Sequence, residues 1–224
     1  LPTVIFPHGG PSARDTLSFD PWAQFFASRG YAVLQPNFRG STGYGDQFRE
    51  LGDHQWGGAM QDDVTDATNW LINEGIADPT KTCIVGASYG GYSALMGAVK
   101  EPDLYKCAIS INGVTNLPSM IRHEKQFVGG RVWTKDIGLE DESAISVSPY
   151  HLAKKIKVPV LIVHSKDDPV VPYSQGRDMA RELKRLKKSV TYVEVENGDH
   201  FLDTAETKLA AFKAMETFLK EHLD

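Results

Sequence analysis

Thr82-Cys83-Ile84-Val85-Gly86-Ala87-Ser88-Tyr89-Gly90-Gly91 is the stretch on which the reading of this chain turns. It begins as a short apolar run, breaks at small residues, and resumes through Ala94, Leu95, Met96 and Ala98 in a helical pattern. A strand, a sharp turn and a helix with G-x-S-x-G at the joint is the context of a nucleophile elbow. The turn is so tight that the serine takes a strained backbone conformation. Residues two positions to either side must then lack bulk, and both Gly86 and Gly90 do. Ser88 would be held out at the carboxyl edge of a sheet, with the positive end of the following helix aimed at it. Three matched residues in five recur by chance; the flanking strand and helix argue against that here.

Outward from the elbow, strand and helix patterns alternate. Apolar runs that read as buried strands are Val4 to Phe6, Tyr31 to Gln35, Thr82 to Val85, Cys107 to Ile111, Val158 to Val163 and Val190 to Val195. Helical spacing recurs in Met60, Val64, Ala67 and Leu71, in Met179, Leu183 and Leu186, and in Leu209, Phe212, Met215 and Leu219. The alternation and the elbow together predict an α/β-hydrolase fold, one domain over residues 1–224, with a mostly parallel central sheet and helices on both faces. Residues 116–150 break the rhythm with Gly129-Gly130, Gly138 and Pro149. They read either as a lid or pocket wall over the site, or as a plain surface insertion.

The chain has 224 residues, enough to bury a core unaided, and carries a net charge of −5. That balance argues against a nucleic-acid partner or an anionic membrane. The basic run Lys184, Arg185, Lys187, Lys188 reads as a solvated helix end. No window has the apolar length of a membrane span, and no signal peptide is evident. Leu1 is not a methionine, and a strand follows at once, so the chain reads as a piece of something longer. The compartment stays open, with the cytoplasm favoured. A homo-oligomer also stays open. Cys83 and Cys107 are expected to be buried free thiols, with a disulfide as the alternative. There is no H-E-x-x-H and no C-x-x-C, so neither metal nor other cofactor is expected. Asp62, Asp63 and Asp66 read as a polar helix face with a structural Asp63.

A serine hydroxyl needs a histidine to take its proton and an acid to hold that histidine. In this architecture the chain order is serine, acid, histidine. The run Val158 to Val163 leads into Asp167-Asp168, where two acids compete. The last strand leads into Asn197-Gly198-Asp199-His200. His200 is the histidine that follows the acid loop and precedes the terminal helix. His8, His54, His123, His151 and His164 come too early, and His222 lies near the end of the last helix. Acyl hydrolysis also needs two N–H donors for the developing oxyanion. One is Tyr89, after the nucleophile. The other belongs to His8-Gly9-Gly10-Pro11, where Pro11 has no N–H and Gly9 or Gly10 must donate.

With these residues in view, the sequence resembles the prolyl oligopeptidase family, most of all its acylaminoacyl-peptidase and dipeptidyl-aminopeptidase branch. The matching stretches are His8 to Pro11, Asn37-Phe38-Arg39-Gly40-Ser41-Thr42-Gly43-Tyr44-Gly45, Trp56-Gly57 with Asp63 following, and Gly86 to Gly91. The family pattern H-G-x-x-D-x-x-V-P fits His164, Asp168, Val171 and Pro172. The resemblance therefore implies Asp168 as the acid and Gly10, with Tyr89, as the oxyanion donors. Two departures stand out. Ser165 replaces the pattern's glycine. Val170 stands where many members carry an arginine that grips a substrate carbonyl. Arg39, Arg122 and Arg131 are the candidates to supply that grip. Members usually carry an N-terminal β-propeller, and nothing in these residues encodes one. The implied activity is hydrolysis of short peptides, N-blocked or dipeptidyl, through an acyl-enzyme. A carboxylesterase with the same triad is the alternative, favoured by Val170 and the missing filter. A non-catalytic binding module would be expected to lack a triad member, and none is missing.

Overall fold

Among the described residues six short strands carry the molecule, the inner four buried on both faces and the two edge strands half-buried. In the computed structural model, which describes residues 1–139 and 141–223 apart from the side chains of 131–133, 136 and 141, the order of elements is as follows. The first half comprises β1 (Thr3–Ile5), α1 (Pro21–Ala27), β2 (Ala32–Leu34), α2 (Asp46–Glu50), α3 (Ala59–Asn73), β3 (Thr82–Ala87) and α4 (Tyr89–Lys100). Then come β4 (Cys107–Ile111), α5 (Leu117–Glu124), α6 (Gly130–Ile137), α7 (Asp141–Ser146), α8 (Pro149–Leu152), β5 (Val160–Ser165), α9 (Ser174–Arg185), β6 (Val190–Val195) and α10 (Ala205–Leu223).

The strands form one six-stranded sheet in the order β2-β1-β3-β4-β5-β6, with every pairing parallel. Alternate side chains leave opposite faces. Ile5, Ile84, Ala108, Val160 and Ile162 join a core with α3, α4 and α9. Val4, Cys83, Val85, Ile109, Leu161 and Val163 join a second core with α1 and α10. This is the α/β-hydrolase architecture that the alternation of patterns predicts. The chain runs outward from β1 to β2 and then returns to the other side of β1 to begin β3. In parallel sheets such a reversal opens a crevice at the carboxyl ends of the flanking strands, here β1 and β3.

Three expectations are corrected. Cys83 and Cys107, cross-strand partners on β3 and β4, form a disulfide, so they are not free thiols. Direct parallel register brings their Cα atoms to 4.7 Å, within bonding range. The fifth strand is shifted: Pro159 lies outside it, and buried His164 and Ser165 are strand residues rather than loop. Leu209 lies 51% exposed, because α10 instead buries Thr207, Ala211, Met215, Phe218 and Leu219.

Candidate active site

Ser88 closes β3 and caps α4 with φ 58° and ψ −120°, a backbone that L-residues avoid. Its neighbours show why the turn holds. A Cβ on Gly86 would lie 2.3 Å from the Gly90 carbonyl, and one on Gly90 would lie 2.2 Å from Pro7 O. Only hydrogen atoms fit between the elbow, α4 and the loop after β1. Gly9 packs on the serine itself, since its Cβ would meet Ser88 Cβ at 3.4 Å. The His8 to Pro11 loop thus lies against Ser88 at the crevice between β1 and β3.

Tyr89 turns its ring away from this crevice. The phenol is buried against Trp56 and Tyr92, with ring centroids 4.6 and 5.6 Å away, and burial pushes its pKa far above the ordinary tyrosine range. What it leaves at the elbow is an N–H in the first turn of α4, one of the donors that a helix does not satisfy internally. Gly10, with φ 120°, lies on the opposing loop. His8 braces that loop: its Nε2 pairs with Ser41 Oγ at 2.8 Å, its Nδ1 lies 2.7 Å from Gly9 O, and its ring stacks on Phe38 at 4.4 Å. Burial pushes the pKa of His8 below the ordinary histidine range.

The acid and the histidine meet across the loops that follow β5 and β6. His200 Nδ1–H donates to Asp168 Oδ2 at 2.7 Å, and Asp168 Oδ1 accepts the N–H groups of Val170 and Val171, both at 2.8 Å. The Asp168 side chain is fully buried and that of His200 is 7% exposed. Asp167 is exposed, and its backbone N–H reaches Gly198 O at 3.2 Å. Of the two competing acids, Asp168 is therefore the one on the ring. His164 Nε2–H donates to Val171 O at 3.0 Å beneath this loop, and burial lowers its pKa. No hydrogen bond joins Ser88 Oγ to His200 Nε2 among the described residues.

A cleft of about 380 Å³ opens beside the His8 to Pro11 loop, lined among others by Gly10, Ser12, Arg49, Trp56, Gly129 and Ile137. The excursion after β4 therefore contributes two of its walls. The three arginines fare differently. The Arg39 guanidinium is already engaged: it grips Asp63 through Nε at 2.7 Å and Nη2 at 2.6 Å, and its own N–H caps the same carboxylate. Arg122 is exposed on α5. The Arg131 side chain lies outside the described residues. Lys100 takes Asp62 at 2.6 Å, so two acids of the α3 cluster are spent in ion pairs. Among the described residues no three acids, histidines or cysteines converge as a metal site, and no helix is long and apolar enough to cross a membrane.

Sequence reasoning passed over Asn112. It sits at the end of β4 with its side chain buried and hydrogen-bonded to the histidine loop. The only signal was the pair Asn112-Gly113 after an apolar run, which reads as ordinary turn punctuation.

Comparison with known proteins agrees with this geometry. The model of the prolyl oligopeptidase family matches residues 17–224. Dipeptidyl aminopeptidase BIII of Pseudoxanthomonas mexicana is 33% identical over all of this chain and 33% of its own length. The acylamino-acid-releasing enzyme of Rattus norvegicus is 28% identical over all of this chain and 32% of its own. A puromycin-hydrolyzing peptidase of Mycobacterium tuberculosis superposes with a TM-score of 0.93 at 32% identity, covering 99% of this chain and 34% of that one. The chain thus spans about a third of the length of the relatives it matches. On these matches, the chain belongs to the prolyl oligopeptidase family.

Proposed function

We propose that this chain is the catalytic domain of a serine peptidase that cleaves short peptides, taking either an N-terminal dipeptide or an N-blocked residue, through an acyl-enzyme. The observation that carries this reading is the 2.7 Å bond from His200 Nδ1 to buried Asp168, in a chain whose Ser88 occupies a strained strand-to-helix elbow. Ser88 Oγ attacks the scissile carbonyl while His200 Nε2 takes its proton. Asp168 keeps the other ring proton on Nδ1 and steadies the imidazolium. The N–H groups of Gly10 and Tyr89 receive the oxyanion; losing one such donor costs about 2.7–4 kcal/mol of transition-state stabilisation. His200 returns its proton to the leaving amine, and water then repeats the sequence on the acyl-enzyme. The substrate class is argued from the printed names of the dipeptidyl and acylamino-acid relatives.

A carboxylesterase is the second reading, favoured by one observation. Val170, at the position of the carbonyl-gripping arginine, is 40% exposed and offers no donor side chain, and Arg39 does not replace it. Parallel kinetics on acylated or dipeptidyl p-nitroanilides and on p-nitrophenyl esters separate the two. Amide turnover that disappears in Ser88→Ala supports the peptidase; turnover of esters alone would transfer the assignment to an esterase. Activity retained by Ser88→Ala, or a folded wild-type protein that a fluorophosphonate does not label, would end both.

A further inference from the structure

One side chain ties the strand that leads to the acid loop to the loop that carries the histidine. Asn112 follows β4 directly and is wholly buried, with φ 45°. Through the backbone, Ser88 N–H donates to Ile111 O and Asn112 N–H to Val163 O, each at 2.9 Å. Through the side chain, Oδ1 accepts Ser165 N–H at 2.7 Å, where the chain leaves β5 for the acid loop. Nδ2 faces Ser165 Oγ at 3.1 Å, Asp199 O at 3.2 Å and His200 O at 3.0 Å. Its two hydrogens meet three acceptors, so one is shared. The amide has one orientation only. A backbone N–H needs an acceptor on one side and two carbonyls need a donor on the other.

We propose that Asn112 is a positioning residue for the catalytic histidine. The inference rests on the triad reading above. The carbonyls of Asp199 and His200 belong to the peptide planes on either side of the His200 Cα. Anchoring both fixes φ and ψ at that residue, and with them the direction in which its Cβ leaves the backbone. Asp168 then needs only to hold the ring's rotation. Asparagine suits the place on two counts: it accepts and donates at once, and it tolerates positive φ better than other residues with a side chain. Aspartate would match the shape but set a carboxylate oxygen against two carbonyls.

The test compares Asn112→Asp and Asn112→Gly with wild type and with Ser88→Ala. Glycine relieves the backbone and removes every side-chain bond, so it separates strain from anchoring. Misplacing a reacting group by about 1 Å costs about 100-fold. Both variants are therefore expected to lose about 30- to 100-fold in kcat and in fluorophosphonate labelling, with KM within about twofold. The far-downfield proton signal of the His200–Asp168 bond should broaden or vanish in both. A merely structural asparagine would lower the melting temperature and leave those readouts alone. A folded variant that labels and turns over within about threefold of wild type overturns the proposal. If neither variant folds, the wild-type protein decides. The Asn112 side-chain amide protons must be protected from exchange and show through-space contact with His200; free exchange there overturns it. Activity retained by Ser88→Ala would instead sink the triad reading on which the inference stands.

Discussion

Asp168→Asn separates the chemistry from the architecture, because the local hydrogen bonds dictate how the new amide sits. The N–H groups of Val170 and Val171 both point at Oδ1 from 2.8 Å and need an acceptor there. The amide oxygen takes that place, and the NH2 group falls where Oδ2 stood, 2.7 Å from His200 Nδ1. Two donors cannot face each other. The neutral imidazole must then accept at Nδ1 and carry its proton on Nε2, the nitrogen that should receive the serine proton. The wrong tautomer costs about 10⁴ in kcat in Ser-His-Asp triads, equivalent to about 5.5 kcal/mol at about 1.36 kcal/mol per factor of ten. None of these bonds contacts the cleft lining, so KM should hold within about twofold. Exposed Asp167→Asn is the control and should keep full activity. Steady-state kinetics on a chromogenic amide, with fluorophosphonate labelling in parallel, measure both. Asp168→Asn retaining more than about a tenth of wild-type kcat, or Asp167→Asn falling as far, would refute the reasoning.

Gly90→Ala places a Cβ 2.2 Å from Pro7 O and must push apart α4 and the strand feeding the oxyanion loop; overpacking should cost about 1–3 kcal/mol of stability, and kcat should fall more than KM rises, while a variant of wild-type stability and rate would contradict the close approach. Arg39→Ala should cost about 1 kcal/mol in urea unfolding through loss of the half-exposed Asp63 pair and leave KM unchanged, whereas a tenfold rise in KM would return Arg39 to the substrate. Burial, with Asp20 nearby, raises the pKa of Asp15 from 3.8 to about 6. The folded state then holds that proton more tightly than the unfolded chain, so the stability it brings is full below the unfolded pKa and is lost as pH rises through about 6. The whole shift is worth about 3 kcal/mol, and for a half-exposed group roughly 1 kcal/mol survives screening. Asp15→Asn should thus gain about 1 kcal/mol over wild type between pH 4 and pH 7 in urea melts, and an equal difference at both pH values would refute it.

What could be read from residues alone divides by range. Periodicity is local, and the inner strands, buried on both faces, announce themselves as apolar runs; these and the half-buried edge strands were legible to within about two residues. The elbow is also local, since Gly86, Ser88 and Gly90 act on one another within a single turn. The choice between Asp167 and Asp168 was not local, because only the fold brings one of them to a ring 32 residues later. Resemblance supplied that register where spacing could not. The disulfide stood only as the alternative to free thiols, because nothing near Cys83 or Cys107 records that the two strands pair in register. Asn112 was missed for the same reason. Its partners are 53, 87 and 88 residues away, and the pair Asn-Gly carries no trace of them. Arg39 looks like a free cation in the sequence, and only the fold brings it the carboxylate of Asp63, 24 residues on.

Strain at the nucleophile makes a last prediction that runs against the usual association of activity with stability. Ser88 holds φ 58° and ψ −120° at the end of β3, and Asn112 holds φ 45° at the end of the adjacent β4, the two joined by the Ser88 N–H to Ile111 O bond. A side chain in such a conformation costs about 1–3 kcal/mol, held in place by the packing around it. Here that packing is the bare contact of Gly86 with Gly90 and of Gly9 with Ser88. Removing the hydroxyl alone, as in Ser88→Ala, leaves the Cβ and therefore the strain. Removing the Cβ as well, as in Ser88→Gly, releases it, less the roughly 0.4–1 kcal/mol by which glycine frees the unfolded chain. Ser88→Gly should therefore be more stable than Ser88→Ala by about 1 kcal/mol in urea unfolding, although both are inert. An alanine variant more stable than the glycine one by about 0.4–1 kcal/mol would mean that the backbone at residue 88 stores no energy, and that the elbow holds its serine by packing alone.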